Sequence, residues 1–210
     1  MALQNRVTPF GDIVAVPARG RLMGNRGIIH DPTSKRLLTR RWQHQAWICC
    51  VLSYKDCQHP IMGPGAYTEL FFLDEATALA AGHRPCAYCR RASFNSFKSN
   101  WIKGNGLDPE VFVPVRNIDR QLHHERVNRR REKVTYDASI DQLPNGAMIV
   151  QRNSAMLLWE DKMFPWTPDG FAPPLPKPTG IMSIVLTPRS TVAAIRAGYA
   201  PVVGVDKMVG

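Results

Sequence analysis

The feature that most constrains this chain is a pair of cysteines separated by two residues, Cys86 and Cys89, in the run His83-Arg84-Pro85-Cys86-Ala87-Tyr88-Cys89-Arg90-Arg91. At that spacing a tight turn can point both sulfurs at one metal ion, as in one half of a zinc clip. Pro85 fixes the approach to the turn, because its ring locks φ and bars helix before it. Upstream, the stretch from Asp74 to Gly82 reads as a short helix with acids in its first turn and a glycine stop. Downstream, a helix is expected from Ala87 to about Trp101, with Phe94, Phe97 and Trp101 on one face at spacings of three and four. The N-terminus of that helix favours thiolate charge. The unit is therefore strand, short helix, glycine, two-cysteine turn, helix. A redox pair and two ordinary buried residues are the other readings of such a motif, although no strand-to-helix pattern of the thioredoxin kind surrounds it.

One pair of thiols cannot close a tetrahedral site. The remaining cysteines are Cys49, Cys50 and Cys57, and His59 lies near the last of them. The segment Phe71-Phe72-Leu73-Asp74-Glu75-Ala76-Thr77-Ala78-Leu79-Ala80-Ala81-Gly82-His83-Arg84-Pro85-Cys86-Ala87-Tyr88-Cys89 resembles the metal-binding module of the Ada alkylation-repair family. That module carries a Glu-Ala-Leu-Ala-Ala-Gly helix and then an aromatic-Arg-Pro-Cys-x-x-Cys turn. The resemblance covers residues 55–92. In the family, two cysteines separated by three residues precede this segment and complete a four-cysteine zinc site. Aligned without gaps, His59 falls on the second of them and Lys55 on the first, which accepts methyl groups in the family. The resemblance thus implies a structural zinc on Cys86 and Cys89, with Cys57 and His59 the best further ligands and Cys50 an alternative to Cys57. It does not imply alkyl transfer: an amine of high pKa is mostly protonated at neutral pH and a poor nucleophile. Cys49 and Cys50 lie in Ala46-Trp47-Ile48-Cys49-Cys50-Val51-Leu52, which reads as a buried strand and favours a packing role for both.

At 210 residues and 44% hydrophobic, the chain has room for one or two domains with a real core. The N-terminus lacks a signal-peptide apolar stretch, and no run approaches the length of a membrane helix. Five cysteines are too few and too odd for a disulfide framework, which points to a cytoplasmic setting without a membrane. The net charge of +10 favours nucleic acid or another polyanion as partner.

Charge placement sharpens that expectation. No acid occurs between Ala76 and Leu107, a span that carries Arg84, Arg90, Arg91, Lys98 and Lys103. Val115 to Lys133 reads as a basic helix ending in Arg129-Arg130-Arg131. Arg84, Arg90, Arg91, Lys98, Arg129, Arg130 and Arg131 are therefore the candidate nucleic-acid contacts. A solvated face with pairs such as Glu125–Arg129 is the plainer reading. His123, His124 and Glu125 are weak candidates for acid–base work, since adjacent histidines point in different directions on a helix. Between Lys35 and Trp47, basic residues interleave with Trp42 and Trp47 in a manner suited to phosphate contact and base stacking. The glycine-rich loop from Arg19 to Gly27 lacks the ending of a P-loop.

Short strands are expected at Ile13–Val16, Gly27–His30, Ala46–Tyr54 and Tyr67–Phe72. The last third reads as a hairpin over 147–159, an aromatic turn-rich stretch, a proline-rich connector, a strand over 181–186 and a helix capped by Thr187 or Ser190. The fold class is thus α+β: an antiparallel sheet with the Ada-like Cys-x-x-Cys turn and helix in residues 1–135, followed by a β-rich module in 136–210 that either packs on the first part or stands apart. The expected role is that of a zinc-dependent nucleic-acid-binding protein, acting on DNA in repair or processing. The alternatives are a nucleic-acid-processing enzyme using His123, His124 and Glu125, and a basic globular protein without metal. No Gly-x-Ser-x-Gly, His-Glu-x-x-His or dinucleotide fingerprint occurs.

Overall fold

Strand β1 (Gln4–Val7) pairs antiparallel with β2 (Ile13–Ala15), and β3 (Leu22–Asn25) runs between β4 (Ile48–Cys50) and β5 (Leu70–Phe72). Helix α1 (Glu75–Ala80) follows, then the two-residue strand β6 (Arg84–Pro85). Together they form a sheet in the order β2-β1-β5-β3-β4-β6, parallel only where β1 meets β5 and where β4 meets β6. The structure is a computed structural model and describes residues 2–55 and 60–205. Gly24 sits where β3 is squeezed between its neighbours: an added Cβ would come 2.1 Å from the Ile48 carbonyl oxygen. The expected strand at Gly27–His30 shrinks to a single bridge between His30 and Leu37. Its backbone is diverted to side chains, with Ile28 N donating to Gln43 and Ile29 N to Thr68.

Two helices come next, α2 (Arg91–Gly104) and α3 (Val115–Arg126). The basic helix expected to reach Lys133 stops at Arg126. Val127 turns extended, the Asn128 side chain accepts from the Arg130 and Glu132 amides, and Val127 bridges Lys133 across the turn. Such a side-chain bond competes with helix and explains the early end.

The second sheet holds β7 (Tyr136–Ser139), β8 (Met148–Gln151), β9 (Ser154–Trp159), β10 (Lys162–Thr167), β11 (Gly170–Phe171), β12 (Leu175–Pro176) and β13 (Met182–Val185). It runs β11-β10-β9-β8-β13-β7, with β12 also on β10, and is antiparallel throughout. Arg152 and Asn153 both have positive φ, as a two-residue hairpin turn requires. Helix α4 (Arg189–Arg196) closes the described chain elements. The fold is α+β.

Helix α1 explains how the two sheets meet. All six of its residues are buried. Ala76 and Ala80 join Met148, Leu157 and Phe164 of the second sheet, whereas Ala78 packs with Val7, Leu70 and Phe72 of the first. Leu79 faces Phe97, Trp101, Leu122 and Ile195 from the other three helices. Small side chains let one short helix be approached from every direction. The larger partners supply the hydrophobic gain, roughly 1.5–3 kcal/mol for each fully buried Leu or Phe. The core therefore crosses residue 135, and α1 belongs to both halves of the chain.

Candidate metal centre

The thiol turn is positioned by β4 and β6. Cys49 lies in register with Pro85, and the Cys86 amide donates to the Cys49 carbonyl at 2.9 Å. The next residue on β4 is Cys50. Its sulfur and those of Cys86 and Cys89 all lie within 4.8 Å of one another. Around a tetrahedral zinc, bonds of about 2.3 Å would place sulfurs roughly 3.8 Å apart, so the three need only a small contraction. Both adjacent cysteines are buried, as read, but only Cys49 joins a hydrophobic cluster, while the Cys50 sulfur meets the thiol turn. Cys49 sits at 1% exposure in the first-sheet cluster, and burial pushes its thiol well up.

The turn itself delays α2. The expected helix start at Ala87 moves to Arg91, because residues 87–90 wrap the sulfur instead. The amides of Tyr88 (3.4 Å) and Cys89 donate to the Cys86 sulfur, and the Val51 amide donates to Cys89. Hydrogen bonding from Cys50, reinforced by those amides, brings the Cys86 thiol down to about 5. The same Cys50–Cys86 bond, followed by burial, pushes Cys50 up, and burial pushes Cys89 up. Three converging sulfurs, with backbone amides donating to Cys86, are the start of a donor set for a soft cation. Binding zinc would draw off the other protons.

Arg84 and Arg90 bracket this turn, and the structure corrects their expected role. Both are buried, at 5% and 9% exposure, and both are paired. Arg84 grips Asp119 of α3 with two bonds of 2.7 and 2.9 Å. Arg90 pairs with Glu75 of α1 at 2.8 Å and donates to the Cys49 sulfur at 3.7 Å. Glu75 also accepts from the Tyr199 hydroxyl and the Val202 amide. These arginines hold the thiol turn to α3 and α1, and their charges are answered by Asp119 and Glu75 inside the protein. Lys98 is half-buried with its ammonium over Phe112. Arg91, Arg129, Arg130 and Arg131 are exposed.

The weak catalytic candidates do not converge. Burial, with help from Arg126 and His124, holds His123 down to about 4, and its Nδ1 lies 3.0 Å from Arg126. His124 is exposed. Glu125 turns to α4, where its Oε2 accepts from the amide and hydroxyl of Ser190 at 2.9 and 2.7 Å. It caps that helix from outside, which neither Thr187 nor Ser190 does with its own side chain. The pairing expected with Arg129 is lost because the helix ends before it.

Cys57 and His59, the further ligands expected from sequence, lie outside the described residues. Lys55, just before them, is tied to the turn: its Nζ donates to the Tyr88 hydroxyl at 3.3 Å, and Tyr54 stacks edge-on against Tyr88. Among the described residues no helix is long and apolar enough to cross a membrane. No protein-family model matches the chain, and neither a curated protein nor a solved structure similar to it was found.

Proposed function

We propose that this protein is a nucleic-acid-binding protein organised by a structural zinc, acting on DNA in repair or processing. The observation that carries the reading is the convergence of Cys50, Cys86 and Cys89. Zinc suits an all-sulfur or sulfur-rich set of this kind, where a hard cation would not. Cys57 and His59 are the candidates for the fourth position, since Lys55 already touches the turn. The likeness to the Ada module in the helix-and-turn string supports the same reading.

The nucleic-acid part rests on the surface cations. Arg131 donates to the Thr39 carbonyl at 3.1 Å, which joins the Arg129–Arg131 turn to the loop bearing the exposed Lys35, Arg36, Arg40 and Arg41. Two basic runs far apart in sequence thus share one surface. Contacts to phosphate from such a surface release counterions and fall steeply with salt.

The test is binding of labelled duplex and single-stranded DNA across a salt series, with the zinc-loaded protein and with protein stripped by chelator. The zinc-loaded protein should bind with a steep negative log–log salt slope, and stripping should weaken binding. If neither DNA nor RNA binds at low salt, the nucleic-acid reading fails.

A further inference from the structure

A second cluster lies outside the thiol turn, around Trp47. The Arg26 and Arg126 guanidiniums each stack 3.9 Å from the Trp47 ring centroid. The two arginines are 2% and 1% exposed, and Lys133 lies with them. Among the described residues none of the three forms an ion pair with a carboxylate. They make do with weaker partners. Arg126 donates to the carbonyls of Gly82 (2.7 Å) and Gln45 (2.6 Å), Lys133 to that of Ala80, and Arg26 to Gly11 and to His83. The Arg126 Nε and the His83 Nδ1 are buried with no partner at all. Buried cations with no carboxylate in direct contact are costly, and the more distant Asp12 and Asp119 offset only part of that cost.

All three cations line one cavity of about 480 Å³. Arg41 and Arg131 line it as well, from the basic surface described above, and Asp12 is the one carboxylate among the lining residues. Five cations against one acid give the cavity wall a formal charge of +4. Trp42 and Trp47 supply aromatic surface on the same wall. The volume lies within the range of small-molecule sites, roughly 300–1,000 Å³, with room for more than a bare ion. Gly82 is part of the construction. Its φ is +83°, and an added Cβ would lie 2.5 Å from the Arg126 side chain, so a side chain there would push Arg126 out of place. Burial and mutual repulsion together depress the cluster: Arg26 to about 9, Lys133 to about 7, and Arg126 and His83 well below their ordinary values. A bound anion would oppose each of these shifts by favouring the protonated forms.

We propose that the cavity walled by Arg26, Arg41, Arg126, Arg131 and Lys133 is a binding site for a phosphoryl group. Guanidinium forks match phosphate oxygens bidentately, and the exposed Arg41 and Arg131 at the cavity wall can offer theirs, with the buried Arg26 and Arg126 adding positive charge behind them. The partly exposed Trp42 on the wall suits a base or other planar group attached to that phosphate, whereas Trp47 is already covered by Arg26 and Arg126. Three sources carry this chemistry: free phosphate, a mononucleotide, and the phosphorylated end of a nucleic-acid strand. The site requires no metal, and it shares only Arg41 and Arg131 with the wider basic surface.

The experiment follows thermal unfolding and tryptophan fluorescence while inorganic phosphate is titrated against sodium chloride at matched ionic strength. A saturable rise in melting temperature with phosphate, absent with chloride, is expected. Adenosine monophosphate is then compared with adenosine, and a 5′-phosphorylated oligonucleotide with its 5′-hydroxyl twin. A preference for the phosphorylated member of one pair names the source, whereas response to phosphate alone names the free anion. Arg126→Met tests the buried fork but can fail to fold, so the double variant Arg41→Ala/Arg131→Ala is made beside it. Both residues are exposed, and the variant should melt in chloride as the parent does while binding phosphate about tenfold more weakly or worse, the loss expected for charge-assisted bonds. The proposal is overturned if no phosphorylated probe outdoes its unphosphorylated control. It is equally overturned if the double variant binds the preferred probe as tightly as the parent.

Discussion

Two clusters of like groups are tied to opposite ends of α1. At the first turn of the helix, Glu75 holds Arg90 and with it the turn that gathers Cys50, Cys86 and Cys89. Past the last turn, the carbonyls of Ala80 and Gly82 hold Lys133 and Arg126 beside Arg26. The thiols call for a soft cation, and the guanidiniums call for an anion. They differ in how they are encoded. The thiol turn depends on neighbours in sequence, with one strand partner added. The cation cavity draws on residues 26, 41, 126, 131 and 133, which only the tertiary fold assembles. A cluster of like charges brought together from such distances, with the helix stop Gly82 shaped to admit one of them, is a costly arrangement that a ligand of opposite sign would relieve.

The sharpest way to break this comparison is to remove a thiol. Cys86→Ser should abolish metal binding and lower the melting temperature by at least roughly 10–20 °C, even if only about 5 of the roughly 10–16 kcal/mol of zinc binding is felt as stability, at about 2–4 °C per kcal/mol for a domain of this size. Cys49→Ala, one residue from Cys50 on the same strand, should keep the metal and cost only about 1–2 kcal/mol of packing. Calorimetry on the two variants checks both. Equal losses would remove the distinction drawn between the neighbours.

Next in size is Glu75→Gln. It leaves the buried Arg90 without its counter-charge and weakens what holds Tyr199 and Val202, so a loss of about 3–5 kcal/mol is expected from denaturant unfolding. At the surface the effect should be on binding alone. The triple variant Arg129→Ala/Arg130→Ala/Arg131→Ala should melt close to the parent while the log–log salt slope for duplex DNA falls by up to about three units, at roughly 0.9 per phosphate contact. Replacing Arg84 should instead destabilise the fold, because it answers Asp119.

The smallest effect is a pH dependence that separates the two ends of α1. Burial, with Arg26 and Arg126 adding to it, holds Lys133 at about 7 in the folded protein, against 10.5 for an ordinary lysine. Above about pH 7 the folded chain has lost a proton that the unfolded chain keeps, so its stability should rise with pH from there toward 10.5. His83, lowered below 6.5 by burial and by the same arginines, extends the trend downward in pH. Saturating phosphate should flatten the rise, because the anion favours the protonated forms. Melting temperatures of zinc-loaded protein from pH 6 to 9, with and without phosphate, measure it.

How much of this was legible in the sequence follows from how local each feature is. The short helix and its Gly82 stop were readable, and Gly82 does take positive φ, but Asp74, read as a first-turn acid, is the N-cap, its Oδ1 accepting the Thr77 amide. The hairpin over β8 and β9 was readable from two apolar runs flanking the short turn Arg152-Asn153-Ser154. The choice between Cys49 and Cys50 was not, because a buried strand hides which side chain faces the turn on the neighbouring strand. Arg84 and Arg90 read as free cations because their acids, Asp119 and Glu75, are distant in sequence. The basic helix was drawn too long because Asn128 offers its own side chain to the backbone, a local competition that charge and periodicity do not report. The Trp47 cavity left only one trace, the interleaving of tryptophan and arginine near residue 42.

The most direct test of the central claim is the metal content of the purified protein, measured by elemental analysis alongside its intact mass under native conditions. One zinc per chain is predicted for the parent, falling to none in Cys86→Ser and in Cys50→Ser and unchanged in Cys49→Ala. A parent protein that is folded, retains its thiols in reduced form and takes up no zinc even when zinc is supplied in excess would contradict the account.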